Sequence, residues 1–377
     1  MIDNTKMPLS PIRIIDSTLR DGEQAPGIVF SGRDKLEIAA MLQDAGVDEI
    51  EAGIPAMGKD ECETITAIRR EVSSVDVISW CRAVLDDLYL AAACDTGRVH
   101  ISFPVSSILL RAFDKNEAWV LKQMETLIPL AREMFDFVSV GAQDAARCNV
   151  GILKKLVRHA GALGAERFRI ADTVGISSPL NIHSLFQELR DDALDMVLEF
   201  HGHNDLGMAT ANTVSAVSGG AGAVSVTVGG IGERAGNAPF EEVAVALEKT
   251  GTGTTNVRFE KLNELCHHVA AVINRPIAPD KPVTGSDIFT HESGIHCNAL
   301  LKDELSYQSI LPSELGLKTE TFQVGKFSGT SSVKHVLKEA GVTIDDRTAN
   351  NILPLIRKSA LEKKRALTVA EVLAMVS

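Results

Sequence analysis

The chain has 377 residues, 45% hydrophobic and only 5% aromatic, and its 38 Lys plus Arg against 50 Asp plus Glu leave a net charge of -12. That apolar content is enough for a sizeable core. The acidic balance, the lack of a basic patch and the scarcity of rings exclude a protein that neutralises phosphates or stacks bases, so no nucleic-acid partner is expected.

The start, residues 1–11, is polar and proline-bearing and lacks the basic and apolar regions of a secretion signal. No apolar run approaches ~20 residues, so no membrane span is expected. From residue 12 onward, short β-rich runs alternate with helical patterns. Strands are expected at 12–17, 49–54, 75–81, 99–103, 137–140, 168–170, 196–200 and 223–228. Each is followed by a helix, at 31–45, 60–70, 85–94, 117–134, 151–162, 180–189, 209–217 and 240–249. Ser31 suits the cap of the first helix, with Asp34 three residues on. Eight strand–helix repeats argue for an α/β fold of the closed (β/α)8 TIM-barrel type. The alternative is an open doubly wound sheet, but no Gly-x-Gly-x-x-Gly follows the first strand. A further helix at 260–272 leads to a breaker-rich linker, Asn274-Arg275-Pro276 through Pro282. Two helices are expected beyond it, at 332–340 and 349–362. The expected organisation is a catalytic barrel over 1–273, then a linker and small, mainly helical accessory region over 274–377. Six cysteines at 62, 81, 94, 148, 266 and 297, none in a C-x-x-C pair, read as reduced thiols of a cytoplasmic protein.

In such a barrel the active site lies at the C-terminal ends of the strands, and unusual polar residues of this chain fall there. His201 and His203, two apart in Phe200-His201-Gly202-His203-Asn204-Asp205-Leu206-Gly207, point their imidazoles to one strand face. Asp21 is the natural third ligand, and two imidazoles plus a carboxylate leave open positions for substrate or water on one divalent ion, Mg²⁺, Mn²⁺ or Zn²⁺. Asp16 competes for that role, but its place within the strand favours structural hydrogen bonding. Asn237 could add a side-chain oxygen. Arg20, beside the metal ligand, could stabilise a developing oxyanion and could also pair with a barrel carboxylate such as Glu51. Gln24, Ser139 and Thr173 are uncharged donors suited to a substrate carboxylate, and His100 on the fourth strand is grouped with them as substrate-binding. His159, His183, His267 and His268 lie on helical patterns and carry no such expectation.

Leu19-Arg20-Asp21-Gly22-Glu23-Gln24 with Lys35 resembles the first motif of the isopropylmalate/homocitrate synthase family, the segment from Phe200 to Ala209 its second, and Gly232-Glu233-Arg234-Ala235-Gly236-Asn237-Ala238 a third. Ser293-Gly294-Ile295-His296 resembles the part that family members lay over a partner's active site. The resemblance implies a metal-dependent barrel with a helical extension, working as a homodimer, that condenses acetyl-CoA with a 2-oxo acid. It assigns Asp21, His201 and His203 to the metal with Asn237 close by, Thr173 to the acceptor's carboxylate, and Arg20 to the new alkoxide. His296 and Tyr307 fall where the family keeps a catalytic histidine and tyrosine, and an imidazole's ordinary pKa near neutrality suits a base. The chain ends at Ser377, where isopropylmalate synthases continue into a leucine-sensing domain. His100-Ile101-Ser102-Phe103-Pro104-Val105-Ser106 looks most like the homocitrate synthases of nitrogen fixation, which implies 2-oxoglutarate as acceptor. Two positions depart from the family. Gly141-Ala142-Gln143 stands where many members have Ser-x-Glu, and Gly325-Lys326-Phe327-Ser328-Gly329 where they have Gly-Lys-His-Ser-Gly. Two other readings are a lyase of the hydroxymethylglutaryl-CoA type, whose loop cysteine has no counterpart in Val228-Gly229-Gly230-Ile231-Gly232, and a non-catalytic metal-bound scaffold.

Overall fold

The computed structural model describes residues 11–317 and 321–376. Eight parallel strands close into a barrel in sequence order: β1 (Arg13–Asp16), β2 (Glu49–Gly53), β3 (Asp76–Arg82), β4 (Arg98–Pro104), β5 (Phe137–Gln143), β6 (Arg167–Asp172), β7 (Val197–Gly202) and β8 (Ala223–Val226). β1 pairs with both β2 and β8, which removes every sheet edge. All eight strand–helix repeats are present, and the open-sheet alternative is excluded. The differences are at boundaries. β5 runs three residues past its expected end, because Gly141-Ala142-Gln143 continues the pairing to Pro104 rather than turning away. A short extra helix, Ser107–Ala112, is capped by the Ser106 side chain. The helix Gly32–Ala45 opens with the expected capping box between Ser31 and Asp34.

The two faces of the strands differ in chemistry. The outward residues, among them Ile14, Ile50, Val77, Val99, Val138, Phe168, Leu198 and Val224, are buried beneath the helix ring. The inside carries charge at alternate positions. Glu49 and Glu51 on β2, Arg167 and Arg169 on β6, and Glu199 on β7 are all 3% exposed or less. Arg167 pairs with Glu49 and, at 2.8 Å, with Glu199. Arg169 pairs with Glu199 at 2.5 Å and Glu51 at 2.9 Å, and Arg98 reaches Glu49 at 2.9 Å. Buried ions persist only when paired, and here each carboxylate meets at least one guanidinium. The ladder stands where barrels of this type usually stack branched apolar side chains.

By compactness the described residues up to Pro276 form one unit and those from Ile277 a second. The second unit has its own small core of Val324, Val333, Leu337, Ile352, Leu353, Ile356, Leu367 and Val372. Helices Thr330–Glu339, Asp346–Lys363 and Val369–Leu373 build it. The first two run a few residues earlier than the sequence pattern suggests. Its residues Thr290–His291 and Thr321–Phe322 pair as two short parallel strands. Among the described residues no helix is long and apolar enough to cross a membrane, and all six cysteines are free thiols.

Candidate active site

The turn after β1 and the end of β7 bring three side chains together. Asp21, His201 and His203 are buried, and their ligand atoms all lie within 4.8 Å of one another. Asp21 Oδ2 stands 3.3 Å from His201 Nε2 and 3.6 Å from His203 Nε2, and the two Nε2 atoms are 3.3 Å apart. Asp21 Oδ2 makes no hydrogen bond among the described residues. A buried carboxylate oxygen left without a donor, facing two imidazole nitrogens, is the donor set a divalent cation satisfies. The residues present therefore fit a metal. Burial and the neighbouring His201 push His203 down to about 4, against the pull of Asp21, so His203 is neutral and able to ligate at neutral pH. Burial would raise Asp21, but Arg20 and the two imidazoles override it and hold the carboxyl well below its usual range.

His201 is aimed by Ser225 on β8, whose Oγ lies 3.0 Å from His201 Nδ1. Such a partner fixes ring orientation and tautomer. Ser225→Ala is therefore expected to weaken metal affinity by about 10–100-fold with the fold intact, read by competitive chelator titration. An affinity within twofold of wild type would remove this role from Ser225.

Asn237 is held against the same strand end. It bridges to His203 through the backbone, its Nδ2 donates to Ile231 O at 3.0 Å, and its Oδ1 is buried without a hydrogen bond. The free oxygen, rather than the amide nitrogen, is what a cation would use. Asp16 is not part of the cluster. It accepts from Thr18 N at 2.8 Å and Thr18 Oγ1 at 3.0 Å, and Thr18 Oγ1 accepts from Val228 N. Burial pushes Asp16 up to about 7 despite those bonds. Its work is to tie the β1 turn to β8.

Arg20 makes the expected pair with Glu51 and stands beside Asp21. Its Nε donates to Glu51 Oε2 at 2.6 Å, and its Nη1 lies 3.1 Å from Asp21 Oδ1. Ser17 also donates to Glu51 Oε2, at 2.6 Å. Glu51 is thus the anchor that locks Arg20 beside the metal ligand. The guanidinium lies 5.3 Å from the centre of the Trp80 ring, a cation–π contact.

A cavity of about 220 Å³ opens over this cluster, smaller than the ~300–1,000 Å³ typical of sites for drug-sized ligands and so sized for a small acid. Arg20, Gln24, His100, Gln143 and Thr173 face it with Asp21, His201 and His203, as do Arg234 of the third motif and, not singled out by the sequence, Trp80 and Arg169. His100 is fully buried, with Nδ1 2.9 Å from Ser139 Oγ. Burial, then Arg169, hold it well below its usual value despite Glu51. Ser139 also accepts from Arg167 Nε at 3.3 Å and does not line the cavity. It positions His100 from below. Gly141 is required here, since a Cβ would lie 2.5 Å from His100 Nε2. Thr173 Oγ1 accepts from Asp144 N at 2.8 Å, and its carbonyl accepts from Arg234 Nη2 at 2.7 Å. Arg234, at φ +55°, is in turn clamped by Asp205 at 2.8 Å.

His296 and Tyr307 belong to the second unit. Their rings stack with centroids 4.1 Å apart, and both are exposed. The two motifs around them form one structure. Phe327 N donates to Glu292 Oε1, Gly294 N to Phe327 O, and Gly325 N to Ser328 Oγ. The Gly325–Gly329 segment thus shapes the turn that carries His296.

A closed barrel with an Asp/His/His cluster at its C-terminal mouth defines an HMGL-like enzyme. Residues 11–269 match the HMGL-like family model, and residues 283–364 match the one described as homocitrate synthase post-HMGL domain-like. The chain belongs to the isopropylmalate/homocitrate synthase family, whose members are acyl-CoA-dependent condensing enzymes. It is 40% identical over 361 residues to 2-isopropylmalate synthase 2 of Caldanaerobacter subterraneus, covering 95% of this chain and 93% of that protein. It is 38% identical over 369 residues to homocitrate synthase 1 of Nostoc, covering 98% and 97%. Among solved structures, hydroxymethylglutaryl-CoA lyase from Pseudomonas aeruginosa superposes with a TM-score of 0.64 at 18% identity, over 72% of this chain and 95% of that one. That likeness extends to the fold alone.

Proposed function

We propose that this enzyme condenses acetyl-CoA with 2-oxoglutarate and water to give homocitrate and CoA, in a barrel over 1–273 served by the accessory region over 274–377. The observation that carries the condensation is the Asp21/His201/His203 cluster with Arg20 locked beside it. Asp21, His201 and His203 would hold a divalent ion, which would supply Lewis-acid polarisation of a keto group. Thr173 offers its hydroxyl to the carboxylate beside that keto group, and Arg20 holds the oxygen as it gains charge. The adjoining cavity of about 390 Å³, walled by Leu19, Ile28, Ile54 and Met57 and sharing Arg20 and Gln24, suits the thioester arm. The acetyl methyl loses a proton to a base, for which His296 with Tyr307 is proposed. The resulting carbanion carbon bonds to the keto carbon, and water then cleaves the thioester, releasing CoA. In the family these two residues act on a partner's barrel, so a homodimer is part of the proposal.

The preference for 2-oxoglutarate over 2-oxoisovalerate rests on the polar lining, in which Arg169 keeps a free Nη2, with no apolar pocket for a branched tail in the 220 Å³ cavity. The His100 to Ser106 run supports the nitrogen-fixation branch. CoA release with a thiol reagent, across 2-oxoglutarate, 2-oxoisovalerate, pyruvate and oxaloacetate, tests the reading. Fastest release with 2-oxoglutarate is expected, and fastest release with 2-oxoisovalerate or pyruvate would move the enzyme to leucine or citramalate chemistry. Gln143, at the cavity wall, cannot accept a proton as the more usual glutamate can, so Gln143→Glu is the informative variant if release is slow.

A further inference from the structure

The barrel interior balances its charges. Four carboxylates, Asp21, Glu49, Glu51 and Glu199, meet four guanidiniums, Arg20, Arg98, Arg167 and Arg169. Arg167 and Arg169 each keep one buried Nη without a hydrogen bond among the described residues, and of the two it is Arg169 that lines the cavity. Arg20 is committed through Nε and Nη1 to Glu51 and Asp21. Arg167 lies below the cavity, does not line it, and packs 5.1 Å from the Phe137 ring centre. Arg169 spends Nε on Glu199 and Nη1 on Glu51, but its Nη2 makes no hydrogen bond among the described residues. Arg169 is 3% exposed, and it lines the cavity that holds the metal cluster. An unpaired N–H donor on a buried guanidinium is costly, and a carboxylate is the partner whose geometry it fits. On the neighbouring strand Gly141 is level with Arg169, and His100 Nε2 takes the space a Cβ there would need, so the open volume in front of Arg169 is the cavity itself. With the interior otherwise neutral, a bound divalent ion leaves two positive charges, matching an acid with two carboxylates.

We propose that Arg169 Nη2 receives the second carboxylate of the acceptor, so that the site selects 2-oxo dicarboxylates over 2-oxo monocarboxylates. The inference rests on the condensing reaction proposed above and assigns its acceptor class to one residue. The two carboxylates then have separate anchors, Thr173 with the metal cluster for the first and Arg169 for the second. Arg169 is a binding residue in this account, and its Glu51 and Glu199 bridges pre-set the fork before the acid arrives.

The test compares Mn²⁺-loaded wild type with Arg169→Gln and Arg169→Lys. Calorimetric affinity and kcat/KM are measured for 2-oxoglutarate, oxaloacetate, pyruvate and 2-oxohexanoate, the last replacing the second carboxylate by an uncharged ethyl group of similar size. Wild type is expected to prefer 2-oxoglutarate over 2-oxohexanoate by about 30-fold or more, the scale of a lost buried charge pair. In Arg169→Gln that ratio collapses towards one, and Arg169→Lys keeps part of it. Ratios are read because a purely structural loss lowers every acceptor alike. A wild-type enzyme that binds 2-oxohexanoate as well as 2-oxoglutarate overturns the proposal even if both variants fail to fold. Oxaloacetate outrunning 2-oxoglutarate, with the Arg169 dependence present, would keep this inference and remove homocitrate. Preference for 2-oxoglutarate with equal losses on all acceptors in Arg169→Gln would keep homocitrate and remove the inference. Pyruvate as the fastest acceptor would remove both.

Discussion

His201→Ala lowers kcat for condensation by about three orders of magnitude or more, the scale of several kcal/mol of charge stabilisation supplied by a bound cation, while the barrel stays folded. The reason lies in how the site is built. His201 Nε2 is one of three ligand atoms, 3.3 Å from both Asp21 Oδ2 and His203 Nε2. Removing it leaves one imidazole and one carboxylate, too few to hold a catalytic ion firmly. The fold tolerates the change because the outward neighbours Leu198 and Phe200, not His201, pack against the helices. Phe200 stacks edge-on against Phe186 with centroids 5.9 Å apart. Metal analysis of the dialysed variant, thermal unfolding and CoA release check the three parts together. Normal turnover with no bound metal would contradict the account of the site.

Glu51→Gln is the second large effect, and it acts on stability and rate at once. Glu51 is fully buried and serves Ser17, Arg20 and Arg169. Glutamine keeps the shape and removes the charge, leaving two guanidiniums without their shared partner. Breaking one side of a buried ion pair costs about 3–5 kcal/mol, and urea unfolding should show a loss of that order. Arg20 loses its anchor, so kcat falls as well. The pH dependence has a definite sign. Burial would raise the Glu51 carboxyl, but Arg169 and Arg20 hold it far below the usual carboxylate range. A depressed acid stabilises the fold fully above its unfolded pKa of about 4.3 and loses that contribution as pH falls towards the folded value. Wild type should therefore lose stability on the acid side of about pH 4, and Glu51→Gln should show a flatter acid limb. A variant as stable as wild type at neutral pH would show that the ladder merely fills space.

What the sequence made legible follows from what each signal depends on. The barrel was readable because eight strand–helix repeats depend only on local periodicity and turn residues. The metal cluster was readable because His201 and His203 are two apart on a strand and Asp21 sits in a turn at the same mouth. The pairing of Arg20 with Glu51 was also foreseeable, since Glu51 lies at the end of the adjacent strand. The rest of the ladder was not read, although Glu49-Ile50-Glu51, Arg167-Phe168-Arg169 and Leu198-Glu199-Phe200 carry its signature. Charge at every second position of a buried strand means charge facing the barrel axis. Arg169 therefore came from the structure, through its position beside Gly141. Arg234 was legible as part of the third motif at the mouth, but its clamp on Asp205 and its left-handed backbone are not revealed by periodicity. Ser139 shows the reverse error of scale. The strand carrying it was right, but it sits one level too deep to face the cavity and supports His100 instead.

The central claim is that a cation held by Asp21, His201 and His203 drives condensation on a 2-oxo acid. The most direct measurement is CoA release from acetyl-CoA and 2-oxoglutarate by chelator-stripped protein, before and after stoichiometric Mn²⁺. Negligible release is expected from the stripped protein, restored by one equivalent of metal in wild type and not in His201→Ala. Full turnover by stripped wild type, or equal restoration in His201→Ala, would contradict it.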